Sequence, residues 1–212
     1  MIAVVDYRMG NLKSVERGLR SVGADARITS DPAQIAAADA VVLPGVGAFG
    51  DAMASMNSLG ETDAMRSAIA DGKPFLGICL GQHLLFSDGV EGAPEGGTVK
   101  GMGLVEGVVG RIPNRDAAGK LYKIPHVGWN SIEGLKTPLF EGIPEGEHFY
   151  FTHSFMVPDT PHTIATTEHS VRIPAAIAVS DRVFGVQFHP EKSSDAGAKL
   201  LANFVHIVET IK

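Results

Sequence analysis

The strongest constraint on this chain is an alternation in its N-terminal part: short apolar runs that break at a turn and pass into segments of helical spacing. Ile2–Val5, Ala40–Leu43 and Pro74–Cys79 are short, and the first two are rich in Val and Ile, so all three read as strands. Between the first two, Leu12, Val15, Leu19 and Val22 recur at the spacing of one helix face, closing at Gly23. After the break at Pro44-Gly45-Val46-Gly47, one helical stretch runs to Asp71-Gly72. Strand–helix–strand order predicts an α/β fold whose mostly parallel central sheet carries helices on both faces. Residues 89–128 are Gly-rich and read as loops and short strands. His148–Val157 and Ala175–Phe188 are β-rich and predict a mixed, antiparallel extension of the sheet. Leu200, Leu201, Phe204, Val205 and Val208 mark a closing helix, with Ser193 or Ser194 as N-cap. No repeat or linker interrupts the pattern, so residues 1–212 read as a single domain.

Charge and cysteine content narrow the function classes. With 18 Lys and Arg against 24 Asp and Glu, the net charge is −6. Such a surface argues against nucleic acid, whose phosphates need clustered cations, and against an anionic membrane. The single cysteine permits no internal disulfide and fits a reducing, cytoplasmic setting. The apolar start is short and lacks a basic leader, so it reads as a first strand and not a signal peptide. No apolar run approaches the roughly 20 residues that cross a bilayer. The cysteine has no neighbouring His/Cys ligand cluster, so no metal site is expected.

That cysteine lies in Gly77-Ile78-Cys79-Leu80-Gly81, at the end of an apolar strand and ahead of Leu84, Leu85 and Phe86. An isolated cysteine is ordinarily a small buried hydrophobe. Glycines two residues to either side instead suit a nucleophile elbow, a tight strand-to-helix turn that projects a reactive side chain from the sheet edge. A helix beginning there would favour thiolate over thiol, and the Leu80 amide would be free for an oxyanion. Far downstream, Gln187-Phe188-His189-Pro190-Glu191 runs from a strand pattern into a stiff Pro turn. A cysteine nucleophile needs a general base, and the base needs a partner to set its tautomer. His189 and Glu191 suit those roles. Of the other histidines, His148, His162, His169 and His206 read as structural.

These two motifs resemble those of the class I (triad) glutamine amidotransferases, and the likeness runs nearly end to end. A closer likeness, to the members of that family that serve histidine biosynthesis, rests on further segments. They are Asp6-Tyr7 with Met9-Gly10-Asn11-Leu12, Pro44-Gly45-Val46-Gly47-Ala48-Phe49, Pro125-His126-Val127-Gly128-Trp129-Asn130 and His189-Pro190-Glu191-Lys192-Ser193. The resemblance implies a flavodoxin-like sheet and a Cys79–His189–Glu191 triad that releases ammonia from L-glutamine through a thioester, without cofactor. It also implies an oxyanion strand at Val46 and Gly47, where a peptide must turn an N–H toward the intermediate, beside Leu80. Flanking glycines make such a turn cheap. By family register Glu91 should pair with the substrate ammonium, and His153 and Ser154 should offer backbone groups to its carboxylate. His83 departs from the pattern, because an amide side chain usually stands there to meet substrate; Arg8 departs too, where a small residue is common.

Ammonia released into water at neutral pH is mostly protonated and no longer nucleophilic, so a synthase must pass it through a dry passage. In the resembled enzymes the acceptor is a separate (β/α)₈-barrel cyclase, bound as a heterodimer. A chain of this length has no room for such a barrel. Asn11, Trp129, Tyr150 and Lys192 match family positions at that interface, and Trp and Tyr are enriched in interface hot spots. Two other readings use the same residues. One is a related glutaminase feeding a cyclase-like partner in surface-sugar synthesis; the other is a regulatory binding subunit that has lost hydrolysis.

Overall fold

The computed structural model describes residues 1–210. Its first half alternates as expected: β1 (Ile2–Val5), α1 (Leu12–Ser21), β2 (Ala26–Thr29), α2 (Pro32–Ala37), β3 (Ala40–Gly45), α3 (Phe49–Leu59), α4 (Glu61–Ala70) and β4 (Phe75–Cys79). Next come α5 (Leu80–His83), β5 (Phe86–Gly89), β6 (Val99–Lys100), β7 (Val105–Arg111), β8 (His126–Ser131), β9 (His148–His153) and β10 (Phe155–Met156). The chain then forms β11 (Thr163–Glu168), β12 (Arg172–Ala178), β13 (Val183–Val186) and α6 (Ser194–Glu209).

The main sheet has the order β11-β12-β13-β4-β3-β1-β2. From β13 to β2 every pairing is parallel, whereas β12 and β11 add on antiparallel. The parallel part is the flavodoxin-like arrangement, with the mixed extension on one side. Alternation along each strand feeds opposite faces. Val4, Leu76 and Ile78 join Val15 and Leu19 of α1 and Leu200 and Phe204 of α6. Val5 and Phe75 join Ile35 of α2, Met53 of α3 and Met65 of α4.

Several expectations are corrected. β2 and α2 were not anticipated. β2 is a sheet edge with only its ends buried, so its apolar signal is weak; α2 is a six-residue helix capped by Asp31, whose side chain accepts the Ala33 N–H at 2.9 Å. The helical stretch after Gly47 is two helices, because Gly60 turns left-handed at φ 73°. β9 does not extend the main sheet but pairs with β8 in a ribbon of two strands. Phe149 and Phe151 face the core while Tyr150 and Thr152 do not, the one-sided burial that antiparallel ribbons tolerate. Ser193 does stand at the start of α6 but caps nothing. Its hydroxyl donates to the His189 carbonyl at 2.6 Å and accepts the Tyr150 N–H at 3.0 Å.

Candidate active site

Open parallel sheets place ligands in the crevice beyond the C-terminal ends of their strands. β4 runs between β3 and β13 in register, with Gly45 opposite Cys79 on one side and Val186 opposite Ile78 on the other. The sulfur is therefore flanked by the Pro44–Gly47 segment and by the turn that follows β13. A separation of 110 positions in sequence is closed by strand pairing alone.

Cys79 sits at the turn with φ 54° and ψ −106°, left-handed backbone that a side-chain-bearing residue adopts only under constraint. The glycines around it have steric reasons. A Cβ at Gly77 would run into the Gly81 carbonyl, and one at Gly81 into the Leu43 carbonyl. The helix expected after the nucleophile is only four residues long, so its dipole does less for the sulfur than the sequence pattern promised.

Cys79 and His189 line one pocket of about 320 Å³, within the size range of small-molecule sites, roughly 300–1,000 Å³. His189 Nδ1 is 2.9 Å from Glu191 Oε1, and both side chains are buried. The backbone of His189 is fixed by its N–H to the Tyr150 carbonyl, 2.9 Å, and by the Ser193 hydroxyl. Its Nε2 has no hydrogen-bond partner. Burial by itself disfavours a charged ring here, but the nearby Cys79 sulfur and the Glu191 carboxylate outweigh it and lift the His189 pKa to about 9. An imidazole of this kind, backed by a carboxylate and facing a sulfur, can hold a proton and then release it to a leaving group.

The other residues singled out from sequence fall into two groups. Val46, Gly47, Leu80, His83, Glu91, His153 and Ser154 line the same pocket. Glu91 Oε2 accepts the Phe49 N–H at 3.2 Å, and burial raises its pKa, opposed by that N–H and by Arg111. His153 donates from Nδ1 to the Phe155 carbonyl at 2.8 Å and meets His126 through Nε2 at 3.0 Å. Burial lowers its pKa to about 3, so the ring is neutral. The Ser154 carbonyl accepts the Ile112 N–H at 2.9 Å, tying this wall to the end of β7. Val46 is exposed, and the Tyr7 hydroxyl packs against the preceding Gly45.

The second group lies outside the pocket. Trp129 and Tyr150 face one another across β8 and β9 with ring centroids 6.1 Å apart, and Lys192 Nζ lies 5.8 Å from the Tyr150 ring. Trp129 is 51% exposed and Val127, on the same face, 55%, so the tryptophan belongs to the surface and not to the core. Asn11 is exposed at the start of α1, which packs on the Pro190–Lys192 turn.

Sequence reasoning passed over groups that the structure brings to the sulfur. The Thr152 carbonyl lies 3.9 Å from Cys79 Sγ, and Gln187 Nε2 lies 3.7 Å from it. Gln187 was visible in the His189 motif: two residues before the histidine, it belongs to the same strand face. A backbone carbonyl from a separate ribbon leaves no such trace. Among the described residues no group of His, Cys, Asp and Glu could hold a metal ion, and no helix is long and apolar enough to cross a membrane.

A thiol at an elbow on a doubly wound parallel sheet, with a buried His–Glu pair across the pocket, is an arrangement able to support acyl transfer through a cysteine. Residues 3–208 match the family model for class-I glutamine amidotransferases, and the chain belongs to that family. Relatives match over essentially their whole length. Imidazole glycerol phosphate synthase subunit HisH of Caldanaerobacter subterraneus subsp. tengcongensis is 45% identical, covering 100% of both chains. Its counterpart of the same name in Methanothermobacter thermautotrophicus is 47% identical over 98% of this chain and 99% of its own. Among solved structures, a glutamine amidotransferase superposes with TM-score 0.73 at 19% identity, covering 98% of each chain, a likeness of fold alone.

Proposed function

We propose that this chain, acting as one amidotransferase domain, hydrolyses L-glutamine with Cys79, His189 and Glu191. It serves as the glutamine amidotransferase subunit of an imidazole glycerol phosphate synthase in histidine biosynthesis. The observation that carries the chemistry is the shared pocket of Cys79 and His189, with Glu191 on the far side of the ring. The full-length relatives support the pathway.

The Cys79 thiolate attacks the side-chain amide carbon of glutamine, and the carbonyl oxygen takes the negative charge. The Leu80 amide and, once its peptide has turned, the Val46 amide hold that oxyanion. His189 gives its proton to the departing nitrogen, the C–N bond breaks, and a γ-glutamyl thioester and ammonia result. The neutral ring then takes a proton from water, whose oxygen attacks the thioester and returns glutamate and the thiolate. Glu191 keeps His189 in the orientation both steps need. Glu91, a half-buried carboxylate on the pocket wall, meets the substrate ammonium, and the His153–Ser154 segment meets the substrate carboxylate.

Ammonia passes to a (β/α)₈-barrel cyclase docked as the second subunit of a heterodimer in the cytoplasm, where the nucleotide substrate is cleaved and its imidazole ring closed. The exposed Val127–Trp129 face with Tyr150 and Lys192 gives that barrel an aromatic and cationic landing surface. Co-purification with the cyclase, followed by glutamine turnover with and without its nucleotide, tests the proposal. A stable pair whose glutaminase rises on nucleotide binding is the expected result. Full turnover by the isolated chain, or no association, contradicts the coupling.

A further inference from the structure

Gln187 is buried just beyond β13, and its carboxamide bridges two residues of the pocket. Its Oε1 is 2.7 Å from His83 Nε2, and its Nε2 is 3.7 Å from Cys79 Sγ. We propose that His83 and Gln187 act as a relay that keeps an N–H donor on the sulfur of Cys79, making both of them positioning residues for the nucleophile. This deepens, and rests on, the reading of Cys79 as the attacking group.

What each group can donate fixes the arrangement. A carboxamide has its acceptor at one end and its donors at the other. His83 is fully buried, which lowers its pKa to about 4, with the Gln187 contact opposing; the ring is neutral and carries one N–H. With that N–H on Nε2, Gln187 must present its oxygen to the ring and its NH₂ to the sulfur. Turned the other way, the amide oxygen would face a thiolate and repel it, and the ring would have to shift its proton to Nδ1. Of the sulfur's other polar neighbours, His189 faces it as a cation, and the Thr152 carbonyl at 3.9 Å can only accept, so it suits the thiol. The two contacts pull in opposite directions: Thr152 holds S–H, and Gln187 holds S⁻. His83 decides whether Gln187 is turned to do so. This gives the departure at position 83 a role: the histidine acts through its neighbour's amide.

Because the chain has one cysteine, alkylation of the intact protein by iodoacetamide reports on Cys79 alone. The rate is measured from pH 5 to 10 for the parent and for Gln187→Leu, His83→Leu and His83→Gln. Hydrogen bonds to a charged group are among the stronger ones. Gln187→Leu and His83→Leu should therefore move the midpoint of the profile up by about one pH unit, roughly a tenfold lower rate at pH 7. His83→Gln, which keeps an N–H for Gln187, should return it close to the parent. Should Gln187→Leu fail to fold, Gln187→Glu, nearly isosteric, sets a carboxylate against the sulfur and should move the midpoint upward further. Parental profiles in folded Gln187 variants, or equal shifts in His83→Leu and His83→Gln, overturn the relay. Glutamine hydrolysis surviving in Cys79→Ala would instead bring down the reading of the nucleophile itself, a separate result.

Discussion

The two sides of Cys79 are built differently. On the β13 side, polar groups are buried and largely tied together: His189 to Glu191 and Tyr150, Ser193 to His189, Gln187 to His83. On the β3 side, Val46 is exposed, the Tyr7 hydroxyl beneath it is buried without a hydrogen-bond partner, and both carboxylate oxygens of Glu61 are buried and unpaired. Burial, with Asp6 nearby and Arg8 opposing, lifts the Glu61 pKa to about 7. Arg8 itself sits at φ 71°. Both sides leave buried polar atoms without partners, His189 Nε2 and Glu191 Oε2 among them on the β13 side. On the β3 side, however, they go with an exposed Val46 and the left-handed Arg8 backbone, the state of a segment able to change conformation. On the proposed mechanism, chemistry belongs to the β13 side and control of the oxyanion to the β3 side.

The largest effect that can break this contrast lies at His189. His189→Ala in the complex should lower kcat by roughly 10²–10⁴ and slow Cys79 alkylation at neutral pH, because the sulfur loses the cation that faces it. If alkylation is unchanged, the β13 side does not set the sulfur's reactivity. Next comes Val46→Pro, which removes the N–H. Turnover should fall by roughly 10²–10³, the usual effect of losing one oxyanion donor, while alkylation of Cys79 stays at the parental rate. Loss of both would show that the two sides do not act separately.

Smaller effects sharpen the comparison through stability. In the folded protein Glu61 keeps its proton up to about pH 7, but an unfolded glutamate loses it near pH ~4.3. The folded state therefore binds more protons in that window, and stability falls as pH rises through it. Glu61→Gln should remove this dependence and raise Tm at pH 8 by about 2–4 °C, on the order of 1 kcal/mol. At pH 4 it should change little, and an equal gain at both pH values would contradict the buried-carboxylate explanation. The smallest effect belongs to Arg8→Gly, which relieves the left-handed backbone and should raise stability by under about 1 kcal/mol in denaturant melts.

What could be read from the sequence follows burial. β1, β3 and β4 are buried along their whole length, so their apolar runs stand out. β2 carries Arg27 on a half-exposed edge and did not. Cys79, His189 and Glu191 each sit in a compact motif beside a strand end, which made them visible. Gln187 was in view but had no role until its amide was seen between His83 and the sulfur. Glu61 and Tyr7 could not be singled out, since their meaning lies in partners they lack, and a missing partner has no sequence pattern. The β9 ribbon was misplaced because alternation fixes which residues face inward and not which strand is the neighbour.

The most direct test is to treat the complex with a glutamine-analogue electrophile and locate the adduct by peptide mass spectrometry. The account predicts one adduct per chain, on Cys79, with formation slowed by glutamine and turnover lost in proportion to labelling. An adduct on another residue, or glutamine hydrolysis persisting after Cys79 is fully labelled, would contradict it.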